Sequence, residues 1–108
     1  MSADTSNHDP HAPEHCQTMA EVREGVDAVD RALIALLVRR FGYMDAAARI
    51  KLSRDAVRDE ARKALVIANV RAEAAARGLP EELMAQLWEV LVEGSIAYEL
   101  ECWDHVRG

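Results

Sequence analysis

The sequence has few aromatic residues, few cysteines and no long apolar run. Phe, Trp and Tyr make up 5% of the 108 residues, and Ala, Leu, Val, Glu and Arg predominate, which favours helices. No stretch resembles a transmembrane helix or a secretory signal. We therefore expect a cytoplasmic protein without a membrane partner. Its two cysteines, Cys16 and Cys102, are expected to be free thiols, with a disulfide as the less favoured alternative.

The charge balance argues against further classes of partner. A formal net charge of -6 disfavours binding to nucleic acid or to an anionic membrane surface. Arg40 and Arg62 nevertheless fall among apolar and alanine positions. A cation on a core-facing stripe needs an anionic partner, and a small molecule with two carboxylates is the simplest one. The alternative is that these are surface cations whose charged heads reach solvent.

The chain lacks the patterns of covalent, metal and phosphate chemistry. No serine in the expected folded region has a neighbouring histidine, and there is no glycine-rich phosphate loop and no Cys-x-x-Cys. His8, His11, His15 and Cys16 fit no standard zinc spacing. We expect no metal and no cofactor, and a site that works through fixed positive charge and hydrogen bonds.

The N-terminal part of the chain predicts a tail followed by a very long helix. Residues 1–17 are polar and predict a disordered tail, and residues 18–108 predict one helical domain. Apolar residues recur at helical spacing from residue 19 to about residue 52. Thr18 and Glu21 have the spacing of a capping box at the start of this helix.

Two further helices complete an all-α prediction. After a polar connection, Asp59 is placed to cap a second helix, which ends before Gly78. A third helix begins near Pro80 and runs to about Val106. The fold class is therefore all-α, with three helices.

The length of the first helix predicts a dimer. About 33 residues at about 1.5 Å each give roughly 50 Å. A compact domain of about 90 residues has a radius of gyration near 12 Å. The apolar stripe of this helix therefore needs a second chain, and we predict an intertwined helical homodimer. The alternative is a helix that kinks and folds back near Gly42.

Three cations on this helix have a spacing that suits an anionic ligand. Arg40 and Lys51 are 11 residues apart, which places them about 20° apart around the helix and roughly 16 Å along it. Their long side chains could hold a molecule the size of a substituted six-membered ring. Arg23 lies a further ~25 Å away and reaches such a ligand only from a partner chain.

Glu99 is an acidic residue on an apolar stripe of the third helix. It shares a face with Trp88 and Trp103 within roughly 60°. Burial disfavours the charge of a carboxylate, so Glu99 is expected either to keep its proton and donate a hydrogen bond or to pair with an arginine.

The ordered set of these residues resembles the all-helical class of chorismate mutases, from roughly Cys16 to the C-terminus. Within this class the chain is most similar to the isochorismate pyruvate lyase branch. The motifs that carry the resemblance are Cys16-x-x-Met19-Ala20-Glu21-Val22-Arg23-Glu24, Arg39-Arg40-Phe41-Gly42-Tyr43-Met44, Lys51, Val57-Arg58-Asp59-x-x-Arg62, and Ile96-Ala97 ahead of Trp103.

The resemblance implies roles for the three cations and the fold. Arg23 from the partner chain and Arg40 would bind the two carboxylates of the substrate. Lys51 would contact a carboxylate and the ether oxygen. The implied fold is a domain-swapped dimer of three-helix chains, which agrees with the dimer predicted from helix length.

The resemblance also implies roles for residues of the second and third helices. Asp59 and Arg62 would lie near the ring hydroxyl and the carboxylates. Glu99 stands where the family usually has a glutamine that donates to the ether oxygen, so Glu99 could donate only when protonated. Lys63 stands where typical mutases carry a glutamate that holds the C4 hydroxyl of chorismate.

Three functions are predicted, in order of preference. The first is a chorismate mutase that converts chorismate to prephenate. The second is an isochorismate pyruvate lyase that gives salicylate and pyruvate. The third is a non-catalytic helical dimerisation module.

Overall fold

The computed structural model of the protein describes residues 11–108, and all regular structure in this range is helical. Helix α1 spans Met19–Ile50, α2 spans Glu60–Ala76 and α3 spans Glu81–Arg107. The predicted all-α class with three helices and a very long first helix is confirmed. Residues 1–10, which include His8 and most of the predicted tail, lie outside the described part of the chain.

Helix α1 begins where the capping pattern predicts. The Thr18 Oγ1 accepts a hydrogen bond from the Glu21 backbone N–H at 3.1 Å, which satisfies one of the free donors of the first turn. The Glu21 side chain accepts from the Gln17 N–H at 2.7 Å, one residue before the expected partner. The helix has no break at Gly42, where the alternative reading placed a kink.

The boundaries of α2 and α3 also follow local signals. The Asp59 Oδ1 accepts a hydrogen bond from the Arg62 N–H at 3.0 Å and caps the start of α2. After α2, Gly78 has a φ of 74°, a left-handed conformation that strains residues with a side chain. Pro80 then occupies the N-cap position of α3.

The chain divides into two compact units, residues 1–40 and residues 41–108. In the second unit α2 packs against α3, and a short 3-10 turn at Arg54–Ala56 also contacts α3. Val57, which follows this turn, is buried although it lies in a stretch predicted to be a polar connection. The core of this unit consists of Val57, Val92 and Ile96, with Val66, Ile67, Trp88, Leu100 and Trp103 packed against them.

The first unit has an uncovered apolar face. Within residues 11–40 no side chain is fully buried, and the 3-10 turn Pro13–His15 precedes α1. The large apolar side chains of α1 that are about half exposed or more include Val26, Val29, Leu33, Ile34, Leu36 and Val38. None of the helices within residues 11–108 is long and apolar enough to cross a membrane.

Candidate active site

The second unit brings together two residues that the sequence predicts to act on one ligand. Lys51 directly follows α1, and Glu99 lies in the C-terminal half of α3. The Lys51 Nζ is 2.8 Å from the Glu99 Oε2, and the two side chains are 29% and 5% exposed. The Glu99 carboxylate is buried and the Lys51 side chain is partly exposed, so the close cation offsets the cost of keeping the Glu99 charge in the low-dielectric interior.

The structure places a cation beside Glu99. Glu99 is buried on the apolar side of α3, as its spacing from Trp103 predicts. It is paired with a cation, but the cation is Lys51 and not an arginine. The ammonium lies outside hydrogen-bonding geometry at Oε2, and within residues 11–108 no group donates a hydrogen bond to this oxygen. The Lys51 ammonium at 2.8 Å is therefore the polar contact that the structure gives this buried oxygen.

The backbone around Val57 completes the surroundings of the lysine. The Lys51 Nζ lies 3.5 Å from the Val57 carbonyl oxygen, at the limit of a hydrogen bond. Arg54 on the same connection forms a bidentate ion pair with Asp104 of α3. Its Nε donates to Oδ1 at 2.8 Å and its Nη2 to Oδ2 at 3.1 Å. The connection is thus held against α3.

Asp59 and Arg62, predicted near the substrate, have a structural role in common. Asp59 accepts the Arg62 backbone N–H and caps α2, and both residues are exposed. Among the described residues no hydrogen bond or ion pair joins either of them to Lys51 or Glu99. Their contact with a ligand stays a prediction.

Arg23 and Arg40 belong to the first unit, on the part of α1 that ends at Arg40. Arg23 is exposed and Arg40 is half-buried. The role of both residues at the site stays a prediction.

Lys63 is held by acidic residues of α3. Its Nζ lies 2.7 Å from the Glu89 Oε2 and 2.6 Å from the Glu93 Oε2. Glu93 is also bound by Arg58, with its Oε1 2.6 Å from Nη2. The lysine at this position is therefore part of an ion-pair network between α2 and α3.

This network predicts an acid-sensitive stability. Hydrogen bonds from Arg58 and Lys63 lower the pKa of Glu93 from 4.5 to about 2. Because the folded-state pKa is depressed, the contribution of Glu93 is present above pH 4.5 and is lost as the pH falls towards 2. We expect Glu93→Gln to lower the melting temperature at neutral pH and to flatten its fall in that window. If the melting temperatures of the two proteins fall by the same amount as the pH is lowered across this window, the assignment to Glu93 is contradicted.

The thiols in the described part are both free, as predicted. Cys102 and Tyr98 both donate to the Asp45 Oδ1, at 3.3 and 2.7 Å. These bonds lower the pKa of Asp45, while burial and the Asp45 contact raise the pKa of the Cys102 thiol. A raised thiol pKa disfavours the reactive thiolate, so Cys102 is a poor nucleophile. Within residues 11–108 no three His, Cys, Asp or Glu side chains are grouped to hold a metal ion.

Sequence reasoning missed two groups of α3 that contact Lys51. The indole N–H of Trp103 and the guanidinium of Arg107 both donate to the Lys51 backbone carbonyl, at 3.1 and 2.7 Å. Trp103 was predicted to share a face of the third helix with Glu99, and Arg107 had no predicted role. Their spacing from Glu99, four and eight residues, is a signal that they share its face.

The three helices within residues 11–108 are consistent with the fold of an all-helical enzyme family. Residues 22–100 match the family model of type II chorismate mutases, and the chain belongs to this family. It is also 30% identical over 96 residues to an isochorismate pyruvate lyase of Pseudomonas aeruginosa. The match covers 89% of this chain and 95% of that relative. The family resemblance stated from the sequence is confirmed.

Proposed function

We propose that this protein catalyses a pericyclic reaction of a chorismate-type dicarboxylate, and that isochorismate is its first candidate substrate. The observation that carries the proposal is the buried pair of Lys51 and Glu99, at the two positions that the family resemblance assigns to the ether oxygen. Such a pair supplies a fixed ammonium in a site of low dielectric constant, where it acts more strongly than in water.

In the proposed lyase reaction one bond breaks as a hydrogen atom moves. The C3–O ether bond of isochorismate breaks, and the hydrogen on C2 passes to the methylene carbon of the enolpyruvyl group. The ring becomes salicylate, and the released fragment becomes pyruvate. Negative charge grows on the ether oxygen as the bond breaks, and the Lys51 ammonium stabilises that charge. No covalent intermediate with the protein is needed.

The second candidate is chorismate mutase. Here the same ether bond breaks while a carbon–carbon bond forms to give prephenate, and charge again grows on the ether oxygen. The description of the matched family supports this candidate. The cation at Lys51 suits both reactions, because both develop charge on the same atom.

Two observations support our choice of the lyase as first candidate, which reverses the order predicted from the sequence. The relative that matches most of this chain is named an isochorismate pyruvate lyase. In addition, Lys63 stands where typical mutases hold the C4 hydroxyl of chorismate with a glutamate, and here it is paired with Glu89 and Glu93.

A homodimer is part of the proposed function. The apolar face of α1 includes Val26, Val29 and Leu33, which are each more than half exposed. A second copy that covers this face would bury it and, by the family resemblance, would supply Arg23 to its partner's site. Sedimentation is expected to give a species of twice the 12.0 kDa chain mass, and a 12.0 kDa species alone would contradict the dimer.

The function is tested by a paired assay on the purified protein. One arm follows prephenate formation from chorismate, and the other follows salicylate fluorescence from isochorismate, each at about pH 5 and about pH 7.5. Dominant salicylate production is expected. Turnover of chorismate alone would establish the mutase instead, and no turnover of either substrate would favour a non-catalytic helical module.

A further inference from the structure

The C-terminal turns of α3 hold the backbone of Lys51, in addition to the ion pair that Glu99 makes with the Lys51 side chain. Lys51 follows the last turn of α1, where backbone carbonyls have no N–H donors of their own helix. The guanidinium of Arg107 supplies hydrogen-bond donors to these carbonyls. Its Nη1 donates to the Ala48 carbonyl at 2.8 Å, and its Nη2 lies 2.7 Å from the Lys51 carbonyl and 3.4 Å from that of Arg49.

Trp103 adds a second donor to the same carbonyl and supports the guanidinium. Its Nε1 donates to the Lys51 carbonyl oxygen at 3.1 Å. The Arg107 guanidinium carbon lies 4.3 Å from the centre of the Trp103 ring, in cation–π contact. The ring itself packs against the core of Val57, Val92 and Ile96. The Lys51 carbonyl is thus held by two donors, one of which is anchored in the core.

The charge of Arg107 suits its position. The C-terminal end of a helix carries partial negative charge from its unpaired carbonyls, and a cation there is stabilising. A planar guanidinium can also bond several carbonyls at once, which a lysine ammonium does less well. An arginine at this position is therefore a more exact fit to the three carbonyls than another cation would be.

Glu99, Trp103 and Arg107 lie on one face of α3. They are spaced four residues apart, which places each about one helical turn beyond the last. The same face thus provides the carboxylate that pairs with the Lys51 ammonium and the donors that hold the Lys51 backbone. Both ends of the lysine are located by one rigid element.

We infer that Arg107 and Trp103 are positioning residues that fix Lys51 for catalysis. This inference rests on the proposed function, in which the Lys51 ammonium must meet the ether oxygen of the substrate. If the Lys51 backbone shifts, the ammonium loses its place beside Glu99 and its aim at that oxygen. A misplacement of about 1 Å can lower a rate by up to about 100-fold.

The test compares Arg107→Ala, Arg107→Lys and a matched control, Arg71→Ala. Arg71 is an arginine whose ion pair to Glu82 joins α2 and α3. We expect Arg107→Ala to lower kcat about tenfold with KM changed less than about twofold, and Arg107→Lys to restore part of the loss. The helical content and the oligomeric state are expected to match those of Arg71→Ala.

A second readout does not depend on turnover. The chain has two lysines, Lys51 and Lys63, so their relative rates of acylation by acetic anhydride can be compared within one sample by peptide mass. Lys63 is held by Glu89 and Glu93 and serves as the internal reference. In Arg107→Ala the labelling ratio of Lys51 to Lys63 is expected to rise about threefold or more, because the lysine opens more often to solvent.

The outcomes separate this inference from the proposed function. An unchanged labelling ratio together with a kcat like that of Arg71→Ala would overturn the positioning role. A loss of kcat that only follows a loss of helical content would overturn it as well. If the wild type turns over neither substrate, the proposed function fails, and the labelling ratio still decides whether Arg107 holds Lys51.

Discussion

Replacing Lys51 by alanine is expected to lower turnover about 10²–10³-fold, the usual effect of removing one donor that stabilises charge in the transition state. The ammonium of Lys51 is the cation that lies beside Glu99 in the buried pair. Without it, the charge on the ether oxygen would meet a carboxylate and no counter-ion. Single-turnover kinetics with the preferred substrate would measure the loss in the chemical step directly.

The substitution also affects stability, and this effect must be separated from catalysis. Lys51→Ala leaves the Glu99 carboxylate buried without its cation, which we expect to cost about 1–3 kcal/mol. The double variant Lys51→Ala with Glu99→Gln removes the buried charge as well. It is expected to regain stability in thermal unfolding and to remain without activity.

A matched control for Lys51→Ala is Arg77→Ala. Arg77 is an exposed cation that pairs with Glu73, four residues earlier in the chain, and it is distant from Lys51 in sequence. Its loss is expected to leave turnover unchanged within about twofold, as for most surface substitutions. If Lys51→Ala keeps more than a tenth of wild-type turnover, Lys51 is not the residue that stabilises the transition state.

Mixing two inactive variants is expected to restore activity if Arg23 acts across the dimer. Arg23→Ala and Lys51→Ala would each disable every site in their own homodimers. In a mixed dimer, one site combines the intact Lys51 of one chain with the intact Arg23 of the other. Free exchange makes half of the dimers mixed, each with one working site of two, so about a quarter of wild-type turnover is expected.

The same experiment discriminates between arrangements of the site. If Arg23 serves the site of its own chain, a mixed dimer contains no complete site, and the mixture stays as inactive as its parts. The chains are exchanged by brief unfolding and refolding together, and mixing without exchange is the control. Sedimentation of each variant checks that the substitutions leave the oligomeric state unchanged.

The helices and their ends could be predicted from the sequence because their causes are local. The Thr18 and Asp59 caps each act within three residues of the N–H that they accept. Gly78 ends α2 through its own backbone conformation. These signals need no knowledge of the rest of the fold, which is why the predicted boundaries of all three helices lie within a few residues of the observed ones.

The connection between α1 and α2 was harder to predict for a physical reason. Val57 stands among charged residues, and such composition favours an exposed loop. Its burial comes from packing against Val92 and Ile96, which lie more than 30 residues later in the chain. A local pattern cannot identify contact partners at that separation. An apolar side chain in a charged stretch indicates only that it could be buried.

The sequence by itself determined the helical class, the helix ends, the family and the placement of Glu99 on an apolar face. These follow from spacing, capping and motif order along one chain. The tertiary structure decided that Lys51 is the partner of Glu99, and that Trp103 and Arg107 hold the Lys51 carbonyl. Those contacts join residues about 50 positions apart, and they depend on where the end of α1 meets α3, which helical periodicity alone leaves open.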